Sequence, residues 1–144
     1  MDSGTNYWIE NEWSWNNFAN VLYIESPPGV GYSYCKGVAD CTFTDEKSAE
    51  VNLQAVLQWF TSFPEFKTND LYISGESYAG IYVPYLTWEM DQYIIANQNV
   101  TDAFIPNLKG FAVGNGCTSW DYDTTGAYVE MGYWHSLIST DLWE

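Results

Sequence analysis

The hexapeptide Gly-Glu-Ser-Tyr-Ala-Gly at residues 75–80 has the residue types and spacing of a covalent catalyst. A short apolar segment precedes it and a long apolar helical pattern follows it, so Ser77 falls at a strand-to-helix turn. Such a turn lifts a serine hydroxyl above the edge of a sheet, where it can attack an acyl group. The strict form of this motif has glycine where this chain has Ala79, and both residues are small enough for a close turn. The pattern therefore predicts that Ser77 is a nucleophile.

The backbone next to Ser77 supplies the second chemical element. At such a turn, the N–H of the following residue, here Tyr78, faces the place where an oxyanion forms. The helix that follows directs its positive end to the same place and favours negative charge there. The alternative interpretation is a Gly-Ser turn that only connects a strand to a helix.

The elements that must position this turn alternate along the chain. Apolar runs predict strands at residues 19–25, 70–74 and 108–114, and amphipathic patterns predict helices at 45–60 and 79–95, with a helical tail at 121–142. This alternation is typical of a parallel sheet with right-handed crossovers and helices on both faces. Ligands bind at the carboxyl ends of such strands, which here are followed by residues 26–34, 75–80 and 115–118.

Composition excludes several classes of partner. The chain has 144 residues, a formal net charge of −15 and only four Lys and Arg residues. A surface this acidic repels phosphate backbones and anionic lipids, so we expect no nucleic-acid or membrane partner. No apolar run reaches the roughly 18 residues of a membrane span. The first five residues lack the features of a signal peptide, which indicates either an intracellular protein or a chain that begins downstream of its true start.

Cysteine, histidine and asparagine residues indicate few further sites. Cys35 and Cys41 could close a small disulfide ring, although two free thiols fit the spacing equally well, and Cys117 has no obvious mate. No His or Cys pair has metal-ligand spacing, so we expect neither a metal nor another cofactor. Asn99 begins an N-glycosylation triplet, which slightly favours a secretory route.

Several stretches of the sequence resemble the serine carboxypeptidase family. The residue 75–80 hexapeptide matches that family's motif without change, and the similarity extends over essentially the whole chain in order and spacing. The other matching stretches are Trp13-Ser14-Trp15-Asn16 with residues 19–23, the glycine-rich loop 28–34, Trp59-Phe60 with residues 63–66, Gly110-Phe111 with residues 113–116, and Tyr133-Trp134-His135 with residues 137–139. The resemblance implies an α/β fold: residues 1–144 form the central part of an α/β-hydrolase sheet with crossover helices, truncated at both ends.

The same resemblance implies roles for three adjacent residues. Ser77 is the acylated nucleophile of an enzyme that removes carboxyl-terminal residues from peptides, in a vacuolar, lysosomal or secreted setting. The Tyr78 N–H is an oxyanion donor, and its ring lines the pocket for the residue before the scissile bond. Glu76 helps to recognise the free terminal carboxylate of a peptide or protein substrate. Two carboxyl groups can pair only if one holds a proton, so we expect Glu76 to be partly buried and the enzyme to prefer acidic pH.

Parts of the family's machinery are not found in this sequence. The resemblance implies a second oxyanion donor in an Asn-Gly-Gly-Pro-Gly stretch and a triad Asp and His that follow the serine in chain order, and the sequence has no such stretch. His135 matches a non-catalytic family position, so we expect it not to act as the general base. The 144 residues alone are therefore expected to be inactive. Related acyltransferases, hydroxynitrile lyases and a non-catalytic scaffold remain the alternatives.

Overall fold

A computed structural model describes residues 8–37, 41–123 and 125–143 of the chain. Two strands and two long helices form its centre, and three short helices follow them. In chain order the elements are a 3-10 helix at Trp15–Asn17, α1 at Asp45–Ser62, a 3-10 helix at Pro64–Phe66, β1 at Leu71–Glu76, α2 at Ala79–Asn97, β2 at Leu108–Gly114, α3 at Trp120–Asp123, α4 at Thr125–Trp134 and α5 at Thr140–Trp143.

Helix α1 forms where the apolar spacing predicts it. The Thr44 side chain caps its start by accepting a hydrogen bond from the Lys47 N–H at 3.2 Å, and acidic residues occupy its first turn, where the helix dipole favours them. Four of the five apolar residues predicted for one face are buried, namely Ala49, Leu53, Val56 and Phe60, and the fifth, Leu57, is half-buried. The helix runs two residues past the predicted end and stops before Pro64.

The predicted crossover unit is confirmed. Strands β1 and β2 pair in parallel, with Ile73 opposite Phe111, and α2 connects them and packs against both. Helix α1 packs on α2 rather than on the strands. The core lies between these elements: Leu53, Val56 and Phe60 of α1 meet Leu86 and Met90 of α2, and Met90 is 0% exposed. Burial of these side chains fixes α2 against the sheet and thereby fixes the turn at its start.

The strand predicted at residues 19–25 is wrong for this structure. The segment has no ladder partner, and most of its side chains are exposed. A strand exists only where a neighbouring strand satisfies its backbone groups. In the described part of the chain, β1 and β2 pair only with each other, so this segment stays extended without joining the sheet.

The expectation of helices on both faces of the sheet is also wrong here. Tyr72 on β1 and Phe111 on β2 are 65% and 53% exposed. Among the described elements, α2 alone packs against the strands, since α1 packs on α2 and neither α3, α4 nor α5 contacts a strand. Within residues 8–37, 41–123 and 125–143, one face of the two-stranded sheet therefore carries no helix, although its strands have the apolar sequence of buried ones.

The helical tail is confirmed, but in three pieces. Ser136 has a left-handed φ of 59°, and the Leu137 N–H donates to the Gly132 carbonyl at 2.8 Å. This arrangement ends α4, because a left-handed residue reverses the chain at a helix carboxyl end. None of the helices in the described ranges is both long and apolar enough to cross a membrane.

Candidate active site

Ser77 sits on a strained turn between β1 and α2. Its φ is +62°, a left-handed conformation that costs a residue with a side chain roughly 1–2 kcal/mol. Three backbone hydrogen bonds hold it: the Ser77 N–H donates to the Gly114 carbonyl at 3.0 Å, and the Ser77 carbonyl accepts from the Cys117 N–H at 2.8 Å and from the Gly80 N–H at 3.0 Å. The Ser77 side chain is exposed at the carboxyl end of β1. The predicted strand-to-helix turn is therefore present, and strain at such a point favours a functional role.

Small residues let the backbone segments around Ser77 approach closely. A methyl group added at Gly75 would lie 2.4 Å from the Ala79 Cβ, so Gly75 provides the room that Ala79 occupies. A methyl group at Gly80 would lie 2.4 Å from the carbonyl oxygen of Cys117, which is backbone and cannot swing away. These contacts explain why the turn has alanine at position 79 but glycine at positions 75 and 80.

The Tyr78 N–H is available to a ligand. Among the backbone hydrogen bonds of the described residues, none is donated by this N–H. It lies at the amino terminus of α2, where the unpaired N–H groups and the helix dipole favour an anion. The turn thus brings the Ser77 hydroxyl and the Tyr78 N–H to adjacent positions.

Glu76 is the last residue of β1 and lies in register with Gly114. Its side chain is exposed, in contrast to the partial burial expected from the sequence. A side chain is buried only where another element covers it. The neighbouring strand offers little cover here, because even a methyl group placed at Gly114 would lie 4.0 Å from the Glu76 Cγ and from the Gly75 carbonyl oxygen. Nothing in the described part of the chain closes over this carboxylate.

Contacts around the Tyr78 ring were not predicted from the sequence. The Tyr78 hydroxyl donates to both carboxylate oxygens of Asp45, at 3.2 and 3.3 Å, and the ring packs on Tyr82 and Trp120 at centroid distances of 4.8 and 5.9 Å. Loss of hydration raises the pKa of Tyr78, and the Asp45 carboxylate raises it further because it accepts a hydrogen bond only from the neutral phenol. Asp45 precedes Tyr78 by 33 residues, and its sequence context indicates only the start of a helix. The sequence therefore contains no pattern that would predict this contact.

The loop after β2 is fixed by one carboxylate. Asp123 accepts hydrogen bonds from the Thr118 N–H, from the Thr118 hydroxyl at 2.7 Å and from the Ser119 N–H at 2.8 Å. The Thr118 side chain and then the two backbone N–H groups lower the pKa of Asp123. This loop also carries the Cys117 N–H that holds Ser77, so α3 supports the turn indirectly.

The glycine-rich loop at residues 26–34 is organised around its own neighbour Glu25. The Glu25 carboxylate accepts from the Tyr32 N–H, and its carbonyl accepts from the Ser33 hydroxyl at 2.7 Å. No hydrogen bond among the described residues joins this loop to the turn at Ser77.

His135 makes a local contact. Its Nδ1 donates to the Met131 carbonyl at 2.9 Å, within one helical turn, and no hydrogen bond in the described part of the chain joins it to Ser77. The expectation that His135 is not the general base stays a prediction.

The remaining predicted positions are the three cysteines and the glycosylation triplet. The structure joins Cys35 and Cys41 by a disulfide with a Cα–Cα distance of 5.7 Å, whereas Cys117 is a half-buried free thiol. Asn99 lies exposed in the turn after α2.

A parallel strand, a left-handed serine and a long crossover helix form the strand–turn–helix unit of an α/β-hydrolase-type fold. The model of the serine carboxypeptidase family matches residues 1–144, so this chain belongs to the serine carboxypeptidase family.

Named relatives agree with this assignment. The chain is 45% identical to serine carboxypeptidase-like 21 of Arabidopsis thaliana over 93% of the chain and 26% of that protein. It is 42% identical to the lysosomal protective protein of Mus musculus, over 92% of the chain and 26% of that protein. The chain thus spans about a quarter of the length of these relatives.

A solved structure gives the same fold. Kex1(delta)p, a prohormone-processing carboxypeptidase from Saccharomyces cerevisiae, superimposes with a TM-score of 0.65 at 24% identity. The match covers 90% of this chain and 28% of that one.

Proposed function

We propose that the complete protein is a serine-type carboxypeptidase that releases carboxyl-terminal residues from peptides or proteins through an acyl-enzyme on Ser77. The left-handed φ of Ser77 between β1 and α2 is the observation that carries this proposal. Family membership supports it, because the matching relatives include proteins named serine carboxypeptidases. The acidic surface fits peptide substrates better than polyanions.

The proposed chemistry assigns one step to each group at the turn. The Ser77 oxygen attacks the carbonyl carbon of the last peptide bond, and its proton passes to the triad histidine that the family resemblance implies. The carbonyl oxygen becomes an oxyanion and accepts a hydrogen bond from the Tyr78 N–H. When the carbonyl re-forms, the carbon–nitrogen bond breaks and the terminal amino acid leaves with that proton. Water then hydrolyses the ester on Ser77.

Glu76 is proposed to bind the substrate's terminal carboxylate. Its position at the end of β1, directly before Ser77, supports this role, because an enzyme that removes one residue at a time binds the terminal carboxylate close to the scissile bond. The pair requires one proton shared between two carboxyl groups, which links exopeptidase specificity to acidic pH.

A lysosomal, vacuolar or secreted location fits the same proposal. One matching relative is named the lysosomal protective protein. The exposed Asn99 triplet is proposed as a glycosylation site, and the bonded Cys35–Cys41 pair suits an oxidising compartment.

The test compares two serines three residues apart in the complete protein. Ser77→Ala is expected to reduce kcat for hydrolysis of a blocked dipeptide by roughly a millionfold, as for loss of a triad nucleophile. Ser74→Ala is the matched control, because Ser74 is an exposed residue of β1, and it is expected to leave kcat unchanged. Equal circular dichroism spectra establish that both variants fold. Near wild-type hydrolysis by folded Ser77→Ala would show that Ser77 is not the nucleophile.

A further inference from the structure

The Tyr78 ring is held by groups from three separate elements. Its hydroxyl donates a hydrogen bond to the carboxylate of Asp45, the first residue of α1. The ring itself packs on the ring of Tyr82 in α2. The indole ring of Trp120, the first residue of α3, packs against the Tyr78 ring at a centroid distance of 5.9 Å.

Asp45 is the charged member of this arrangement. A hydrogen bond to a carboxylate is stronger than one between neutral groups, although here the proton is shared between two oxygens at 3.2 and 3.3 Å. Asp45 is half-buried and lies at the amino terminus of α1. The partner of the Tyr78 hydroxyl is therefore a side chain of the protein rather than solvent.

This bond reaches the backbone of the active-site turn. Tyr78 directly follows the strained Ser77, and its own N–H begins α2. A tyrosine ring rotates about two single bonds. Tyr82 and Trp120 pack against the Tyr78 ring, and Asp45, 33 residues earlier in the sequence, fixes the position of its hydroxyl.

We propose that Asp45 is a positioning residue: through the Tyr78 hydroxyl it fixes the ring beside Ser77 and thereby sets the preference for the side chain that precedes the scissile bond. This inference rests on the proposed carboxypeptidase function. Asp45 itself touches no substrate. A large side chain at that substrate position meets the ring, whereas alanine hardly reaches it, so the two substrates respond differently when the ring is released.

The experiment measures kcat/KM in the complete protein for two blocked dipeptides with the same terminal leucine and either phenylalanine or alanine before it. Asp45→Ala is expected to lower the phenylalanine-to-alanine ratio about fivefold, the size expected for one net hydrogen bond. Asp45→Asn keeps an acceptor oxygen and is expected to restore most of the ratio. Glu46→Ala removes a neighbouring charge from the same helical turn and is the matched control, expected to leave the ratio unchanged.

A double-mutant cycle separates this role from a general effect on folding. Asp45→Ala is expected to change the ratio no further when Tyr78 is already Phe, because the hydroxyl through which it acts is gone. Additive effects of the two substitutions would overturn the inference, and so would an unchanged ratio in Asp45→Ala. If Asp45→Ala does not fold, the same cycle is measured with Asp45→Asn, where a ratio loss of about twofold that vanishes in the Tyr78→Phe background is expected.

Labelling by a serine-directed phosphonofluoridate distinguishes the two levels of the proposal. Stoichiometric labelling of every Asp45 variant with an unchanged substrate ratio would sink the positioning role and leave the proposed function standing. Failure to label the wild-type protein would sink the proposed function itself. The inference is supported when labelling is complete in all variants and only the ratio moves.

Discussion

The turn at Ser77 and the segment at residues 8–37 differ in how closely they pack against the rest of the structure. Around the turn, neighbouring backbones approach closely enough to exclude a methyl group, and the adjoining core buries Met90 completely. In the amino-terminal segment, Trp13 and Phe18 are 84% and 90% exposed. Both regions have a matching family sequence, yet only one is packed. Packing depends on partners in space, which an apolar pattern by itself does not supply.

Hydrogen exchange gives the largest expected contrast between these regions. In the 144-residue chain, amides of β1 and β2 that bond to each other are expected to exchange on the order of a thousandfold more slowly than those of residues 20–24. Mass spectrometry of exchanged peptides measures the difference. Protection of residues 20–24 equal to that of β1 would show that this segment does join a sheet, as its sequence predicts.

Substitution at the closest backbone approach is expected to be the next largest effect. Gly80→Ala places a methyl group 2.4 Å from the Cys117 carbonyl oxygen, which costs about 3 kcal/mol, while the gain in helix propensity returns only about 1 kcal/mol. The complete protein should therefore lose about 2 kcal/mol of unfolding free energy in urea.

Gly126→Ala is the matched control for that experiment. Gly126 is also helical, but nothing lies within 4 Å of the added methyl group, so this variant should gain about 1 kcal/mol. Equal stability changes at the two glycines would mean that the segments after β1 and β2 do not meet as described.

Relief of strain at the nucleophile gives the smallest expected effect. Glycine adopts the left-handed conformation of residue 77 freely, so Ser77→Gly recovers about 1–2 kcal/mol but loses about 0.5–1 kcal/mol through its more flexible unfolded chain. We expect a net gain of about 0.5 kcal/mol in unfolding free energy, together with loss of hydrolysis. Ser74→Gly lies in regular β1, so it should lose about 0.5–1 kcal/mol. A destabilisation of the same size at both positions would argue against strain at Ser77.

Local patterns predicted the individual elements, and the strand–helix–strand order predicted how β1 and β2 pair. The α1 face, the parallel β1–α2–β2 unit and the turn at Ser77 all follow from apolar spacing and small residues. The failed strand at residues 19–25 has the same kind of pattern but no neighbouring strand edge. The Asp45–Tyr78 hydrogen bond was missed for the opposite reason, since it joins distant residues whose own sequences carry no sign of the contact.

The proposed function depends most on Ser77 being the residue that is acylated. The direct measurement is to treat the complete protein with a serine-directed phosphonofluoridate, digest it and map the modified residue by mass spectrometry. We expect one adduct per molecule, on Ser77, with Ser74 in the same peptide unmodified and no adduct in Ser77→Ala. An adduct on another serine, or labelling that persists in folded Ser77→Ala, would contradict the assignment.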